Sequence, residues 1–450
     1  MKIPAIKGFD QEALTKYFKN TGWLMLARVG SLAIKIFVGF ALSNYLGDKH
    51  YGMLNFPVAF TSFFIAIGAL GLDGFITREL LRTPDERDRL LGTSFFMKVG
   101  GALLVLPLIW LAYAFYNDRY GTETPADYFI ITGLVGLAQA FNVLDSYFQS
   151  KVQGKWVMMV QVFGNIASAL VKLLLILNDM PLSWFIYAVL FDAVLLAAGY
   201  IYFYRREVGS LFSWKFDARL ARRLISNSWP LAFSAVLVSI YMKIDQLMIE
   251  AYMGPAPLGV YSTVVTLSES WYFIPVAIVT SVFPAIMNAR RDDPQRYQRR
   301  LQNMYDLMVW ISLALAIFMT FASPYIYRIV WHDKPEFWAG APVLSVHIWA
   351  GVFTFLAVAS GQYLIAEGFT RLTIVRTAAG ALVNVCLNII WIPVYGMMGA
   401  AMSTLAAYFT ATFFLIFLPS THKQAIMMLK SLFLITLVQK AFGFLKQPKP

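Results

Sequence analysis

With 450 residues, 59% of them hydrophobic and only 14% charged, the chain carries far more apolar surface than a soluble multidomain protein can bury. Its formal charge of +12 is spread over short connections between apolar stretches, so the charge does not mark a basic nucleic-acid-binding module, and no nucleic acid is expected among its partners. The single cysteine, Cys386, lies inside an apolar stretch, which leaves no intrachain disulfide and no cysteine-based metal site.

The first 20 residues are polar and basic, without the short apolar core and small-residue cleavage site of a signal peptide, so no cleaved leader is expected. Twelve apolar stretches follow, at 21–46, 54–78, 91–116, 127–150, 156–178, 182–204, 228–252, 259–289, 302–326, 340–366, 371–395 and 397–418. Each is long enough to cross a hydrocarbon core of ~30 Å as a helix; they are called spans 1 to 12 below. Of the 37 Lys and Arg residues, 27 fall in the N-terminal segment, alternate connections and the C-terminal tail. Lys49, Arg119, Arg328 and Lys334 lie in the other connections, and six lie inside spans. Lys/Arg-rich connections stay cytoplasmic, so both termini and the connection 205–227 are expected in the cytoplasm. The domain reading is an N-terminal six-helix lobe (1–204) preceded by an amphipathic segment, a basic linker (205–227), a C-terminal six-helix lobe (228–418) and a tail (419–450). Within the tail, 421–447 carries His422, Lys423, Lys430, Lys440 and Lys446 among apolar runs. A cytoplasmic interfacial helix costs less there than a thirteenth span holding Lys430 and Lys440.

The two halves resemble each other. A shift of 207 residues pairs Phe9 with Phe216, Asp10 with Asp217, Asn20 with Asn227, Leu24 with Leu231, Val29 with Val236, Tyr45 with Tyr252, Gly47 with Gly254 and Gly52 with Gly259. Eight matches over residues 9–52 exceed the roughly three expected from average residue frequencies. The period covers six spans, an even number, so the halves share one orientation. Parallel repeats of this kind are a transporter design with the substrate path between them.

Function is then sought in the buried polar residues. In span 1, Arg28 and Lys35 stand seven residues apart on one helix face with Ser31 and Gly39. A charge near the bilayer centre costs at least about 2.5 kcal/mol. Two readings stay open: a structural ion pair with a neighbouring carboxylate, or a cationic lining for an anionic substrate. In span 7, Lys243 and Asp245 point about 200° apart, so one faces a cavity and the other a helix interface. Lys98, Lys172 and Arg376 lie nearer span ends, where reaching to the headgroups is the expectation. The buried acids are Asp73, Asp145, Asp192, Asp245 and Glu269; Asp145 shares a stripe with Asn142 and Gln149, and Glu269 shares a face with Ser262 and Thr266. Such carboxylates either exchange a proton or hold Na⁺ for coupling, or close salt bridges to Arg28, Lys35 or Lys243. Asn384 and Asn388, one turn apart in span 11 with Thr377 and Gly380, suit tight helix packing or a ligand. Pro275 and Pro284 should kink span 8. No Gly-x4-Gly-Lys-Ser/Thr loop and no nucleophile beside a base is present, and His332 and His347 lack metal-ligand spacing, so no enzyme activity is expected.

Several short motifs carry a family likeness. Leu46-Gly47 with Tyr51-Gly52, Gly71-Leu72-Asp73 with Arg78-Glu79, Asp245-Gln246-Leu247, Gly254 with Gly259-Val260-Tyr261, Phe283-Pro284, and Asn388 with Ile392-Pro393, Tyr395-Gly396 and Gly399-Ala400 resemble the Wzx-type polysaccharide-transport flippases. These belong to the multidrug/oligosaccharidyl-lipid/polysaccharide (MOP) superfamily. The resemblance implies an all-α polytopic fold of two six-helix lobes around a central cavity, like the multidrug antiporters of that superfamily. It also implies transfer of an undecaprenyl-pyrophosphate-linked O-antigen or related repeat unit across a bacterial inner membrane, in company with the bilayer and other polysaccharide-assembly membrane proteins. Under it the candidate substrate residues are Arg28, Lys35, Lys243, Asn142, Asn384 and Asn388, and the coupling or gating residues Asp73, Asp145, Asp245 and Glu269. No catalytic residue, metal or cofactor is implied beyond H⁺ or Na⁺ as a coupling ion. The rival readings are a cation-coupled multidrug or organic-ion antiporter and a membrane polysaccharide polymerase or ligase.

Overall fold

The computed structural model describes residues 11–436, so Phe9 and Asp10 of the repeat and Lys440 and Lys446 of the tail lie outside the described residues. The chain is all-α: 89% of it is helical and no strand occurs among the described residues. Among the described residues ten helical stretches are long and apolar enough to cross a membrane, and the bent pair Pro335–His347 and Ala350–Ala366 makes an eleventh. One stretch, Gly22–Arg82, has 61 residues. At 1.5 Å per residue it would be about 90 Å long if straight, three hydrocarbon cores end to end. It is interrupted at Gly47, whose φ of 71° and ψ of 175° reverse the chain between spans 1 and 2. Only a residue without Cβ adopts this conformation without strain.

Four spans are broken, of which only span 8 was expected to be kinked. Span 2 stops at Gly68 and restarts at Leu72, with Leu70 (φ 56°) and Gly71 (φ 64°) in left-handed conformation. The Leu70 carbonyl released by that break accepts the Ser228 hydroxyl at 2.8 Å, which answers the cost of an orphaned backbone group in a membrane interior. Span 4 is divided into Ala126–Gly133, Val135–Gln139, the 3₁₀ turn Ala140–Asn142 and Val143–Ser150. Span 8 breaks between Glu269 and Phe273, just ahead of Pro275, and span 10 bends by 45° between His347 and Ala350. The second and fourth members of each set of six are thus the interrupted ones. The shift of 207 carries Ala140–Asn142 onto positions 347–349, so the repeat is visible in the helix breaks as well as in the residues.

The chain divides into two compact units, residues 1–243 with Gly254–Gly259, and residues 244–253 with 260–450. In the first, Leu72, Phe75, Leu91, Tyr147, Phe148 and Tyr204 form a buried cluster that Leu220 and Leu224 complete. In the second, Tyr305, Met308, Phe355 and Leu356 are buried together with Ala425 and Met428. Both clusters sit at the Lys/Arg-rich ends of the spans. There water competes with packing and apolar burial lowers the free energy, whereas deeper in lipid close packing and hydrogen bonds must serve instead. Leu104, Leu111, Phe115, Phe321 and Ile329 are left exposed along the helices, as lipid-facing side chains are.

The linker 205–227 is bound to the first unit. Asp217 accepts from Arg89 Nε at 2.8 Å and from the Leu220 amide at 2.8 Å, so one carboxylate holds the start of span 3 and caps the long helix that contains span 7. The Asp217 amide donates to Thr93 Oγ1 at 3.1 Å. In the second unit, the amphipathic helix His422–Leu432 turns Gln424, Ala425, Met428 and Ser431 inward. Gln424 Nε2 donates to Tyr305 OH at 2.8 Å and Ser360 Oγ at 3.0 Å, and the Asp306 carboxylate accepts from Ser431 Oγ at 2.7 Å and Thr436 Oγ1 at 2.6 Å. The tail is therefore part of the packed unit as far as Thr436.

Candidate substrate cavity and buried carboxylates

Spans 1, 5 and 6 of the first unit bring Lys35, Lys172 and Asp192 to one cavity of about 320 Å³, which Asn55, Asn165 and Ser168 also line. Lys172 and Asp192 form an ion pair, and Ser168 Oγ donates to Asp192 Oδ1 at 2.5 Å. Asn165 is held in place by its own bond to Ser31 Oγ at 2.9 Å. Lys35 has no carboxylate oxygen within 4.0 Å among the described residues, so the cavity presents two ammonium groups against one carboxylate. The surplus charge sits on a flexible stem that lines the cavity.

A second cavity of about 570 Å³ opens around the break in span 2 and shares Val58 and Val189 with the first. Thr61, Ser62, Thr132 and Gln139 supply its uncharged polar lining, and Asp73 its charge. Asp73 Oδ1 lies 2.5 Å from Lys98 Nζ, and Lys98 lines only a small recess behind, with Gln139 and Gly136. The Ser146 hydroxyl bonds the Asp73 carbonyl at 3.1 Å, so the restarted helix is tied to span 4.

These contacts correct several expectations. Lys98 and Lys172 do not reach to the headgroups; each turns inward to a carboxylate on another helix, which lowers the cost of a buried charge more than partial hydration does. Arg376 is 6% exposed and donates to Ser360 Oγ and the Ala357 carbonyl, both at 3.0 Å. Among the described residues no ion pair within 4.0 Å joins Asp73, Asp145 or Asp192 to Arg28, Lys35 or Lys243. Arg28 is exposed and lies two turns nearer the Lys/Arg-rich end than Lys35, within electrostatic reach of Asp145 but outside the lining of either cavity. A shared helix face does not place two residues at one depth. Asp145 Oδ2 accepts from Gln149 at 3.0 Å, while Asn142 is half-buried in the 3₁₀ turn and lines neither cavity.

Of the acids singled out in the sequence, Asp245 in the second unit is 4% exposed and accepts from Tyr261 OH at 2.5 Å and Thr404 Oγ1 at 3.2 Å. Lys243, on the other side of its helix, is half-buried. Thr404 escaped the sequence reading because a lone Thr in an apolar stretch normally bonds the preceding turn, as this one also does to Ala400 at 3.0 Å. Glu269 ends the helix at the break in span 8. Asn384 and Asn388 are fully buried, and Asn388 Nδ2 donates to Asn384 Oδ1 at 3.2 Å. Asn384 Nδ2 and Asn388 Oδ1 have no partner among the described residues.

The family described as polysaccharide biosynthesis protein matches residues 17–290, more than half of the chain. The chain belongs to that family. The MatE family also matches residues 230–390. Over 404 residues the chain is 21% identical to the "Probable flippase AglR" of Haloferax volcanii, covering 84% of this chain and 78% of that protein. Its fold is similar to that of the lipid II flippase MurJ in an inward closed conformation (TM-score 0.71, 16% identity, 95% of this chain and 93% of that one). It is also similar to an inward-facing multidrug resistance MATE family transporter of the MOP superfamily (TM-score 0.69, 14% identity, 92% and 96%). The chain is therefore a multi-pass membrane protein of the polysaccharide biosynthesis family with a MATE-like all-α fold.

Proposed function

We propose that this polysaccharide biosynthesis family member flips an undecaprenyl-pyrophosphate-linked oligosaccharide, an O-antigen or related repeat unit, from the cytoplasmic to the periplasmic leaflet by alternating access. The observation that carries this reading is Lys35: an ammonium without an ion-pair partner among the described residues, in a cavity already holding the Lys172–Asp192 pair. A pyrophosphate brings two or more negative charges to such a site, and charge-assisted bonds to phosphate oxygens are the strong ones. The adjoining space with Thr61, Ser62, Thr132 and Gln139 suits sugar hydroxyls. The names of the relatives, a probable flippase and a lipid II flippase, support the same direction. Asp245, buried on two hydroxyls, is the proposed coupling carboxylate for H⁺ or Na⁺, with Asp73, Asp145 and Glu269 as gating acids. The MatE match favours a second reading, a multidrug or organic-cation antiporter, but a cavity with surplus positive charge repels an organic cation.

The test is surface-glycan display in cells. Lys35→Ala is expected to lose most of it at equal protein abundance, because a lost charged contact weakens binding about ten- to a hundredfold. Lys35→Arg should keep part, since charge is what the phosphate reads. Normal display by Lys35→Ala would sink the head-group role. Orientation is tested separately by a cysteine at position 219 on a Cys386→Ser background, where labelling by an impermeant reagent in intact cells would refute cytoplasmic loops on that side.

A further inference from the structure

At the Lys/Arg-rich end of the first unit lies an aromatic groove that the transport cavity does not use. Helix Arg87–Tyr120 contributes Phe95, the 3₁₀ turn of span 4 Phe141, helix Leu182–Glu207 Ile201 and Arg205, and the linker Phe212 and Trp214, around a volume of about 420 Å³. The walls are built in advance. The Phe95 ring packs 4.7 Å from Phe141 and 5.4 Å from Trp214, and Trp214 Nε1 donates to Tyr204 OH at 3.3 Å. Phe212 is 96% exposed at the mouth. A large apolar side chain held out by an ordered 3₁₀ turn marks a surface that something apolar covers.

Charge at the mouth is one-sided. Arg205 has no carboxylate oxygen within 4.0 Å among the described residues, whereas its neighbour Arg206 pairs with Glu207 at 3.5 Å. The next depression along the linker is balanced: Arg87, Arg89 and Lys215 face Asp85, Glu86 and Asp88, and Arg87 bonds Asp88 at 2.7 Å. An uncompensated guanidinium beside aromatic walls, at the end of the spans where basic residues collect, matches a ligand with an anionic head and an apolar tail.

We propose that this groove binds an anionic membrane phospholipid, its phosphate on Arg205 and one acyl chain laid along the face that the packed Phe95, Phe141 and Trp214 rings present to the groove. Guanidinium and phosphate make paired, charge-assisted bonds, which gives the headgroup preference. Because Phe212 and Trp214 belong to the linker, the bound lipid also holds the linker against the ends of spans 3 and 6.

The experiment uses the full chain, delipidated in detergent and titrated with phosphatidylglycerol, phosphatidylcholine, glycerol phosphate or polyprenyl phosphate, with bound lipid counted by native mass spectrometry and stability followed by thermal melting. Phosphatidylglycerol is expected to bind and raise the melting temperature; phosphatidylcholine should bind much more weakly, and glycerol phosphate not at all. Arg205→Gln should weaken phosphatidylglycerol binding about ten- to a hundredfold, and Arg205→Lys by less. Phe212→Ser, at an exposed position that folding does not need, should weaken it as well. The proposal fails if phosphatidylcholine binds as tightly as phosphatidylglycerol or if Arg205→Gln changes nothing. It also fails if polyprenyl phosphate displaces phosphatidylglycerol in an Arg205-dependent way at lower concentration, which would make the groove a substrate-tail site.

Discussion

Lys98 Nζ and Asp73 Oδ1 are 2.5 Å apart, yet the lysine side chain is 4% exposed and the carboxylate 55% exposed. The pair is lopsided, so its two members should tolerate replacement very differently. Asp73→Asn leaves a buried ammonium without its carboxylate and is expected to cost about 3 to 5 kcal/mol. Lys98→Met leaves a carboxylate that the cavity can still hydrate and should cost much less. The double variant Asp73→Asn, Lys98→Met should recover most of the loss. Melting temperatures of the three purified variants decide it, and equal losses for the two single changes would refute the asymmetry.

Gly52 and Gly259, equivalent by the shift of 207, meet backbone to backbone within the first unit. A Cβ on Gly52 would lie 1.8 Å from the Pro255 carbonyl oxygen, and one on Gly259 would lie 1.9 Å from the Asp48 carbonyl oxygen. Neither carbonyl is a flexible side chain that can move aside. Gly52→Ala and Gly259→Ala should each cost 1 to 3 kcal/mol or more by overpacking, or open the contact. Cysteines at positions 48 and 255 should crosslink readily, and glycan display should fall once they do if these segments part during transport. Efficient crosslinking with full display would show that the contact stays closed throughout.

The Asp217 carboxyl is held below the usual carboxylate range, first by the Leu220 amide and then by Arg89. A lowered folded pKa means that its contribution to linker docking is complete above the ordinary value of about 4 and fades as pH falls through the lower folded value. Docking of 205–227 should therefore be insensitive to pH across the neutral range and weaken only in acid. Asp217→Asn should abolish that acid dependence while loosening the linker at pH 7. Protease accessibility of the linker against pH reads both, and an unchanged acid transition in Asp217→Asn would assign it elsewhere.

The apolar spans were legible in the sequence because they depend on composition along a line. Apart from span 8, where the prolines pointed to a kink, the helix breaks were not. Span 4 has no proline between Ala126 and Ser150, and its interruption at Gly133 to Asn142 is set by neighbours that hydropathy does not see. Cross-helix pairing was equally hidden: Lys98 finds Asp73 25 positions back, Lys172 finds Asp192 20 positions on, and Thr404 reaches Asp245 across 159. Such partners depend on helix rotation, which one sequence does not report, so inward lysines were read as reaching outward. Lys35, singled out by its depth and its face, lines the cavity. Arg28 was grouped with it by face, but it lines neither cavity.

The docked helix His422–Leu432 also has a consequence for how the second unit is made. Asp306 enters the bilayer early in span 9, but the Ser431 hydroxyl that solvates it is 125 positions further on. During synthesis from the N-terminus, the acid is inserted, three more spans are threaded, and only then does its partner emerge. Through that interval the nascent chain holds a carboxylate near the Lys/Arg-rich end of its span that has not yet received two of its hydroxyl donors, Ser431 and Thr436. Arrival of the tail closes a long loop and gains its hydrogen bonds at once, so maturation of this half is a late, concerted step rather than a span-by-span accumulation.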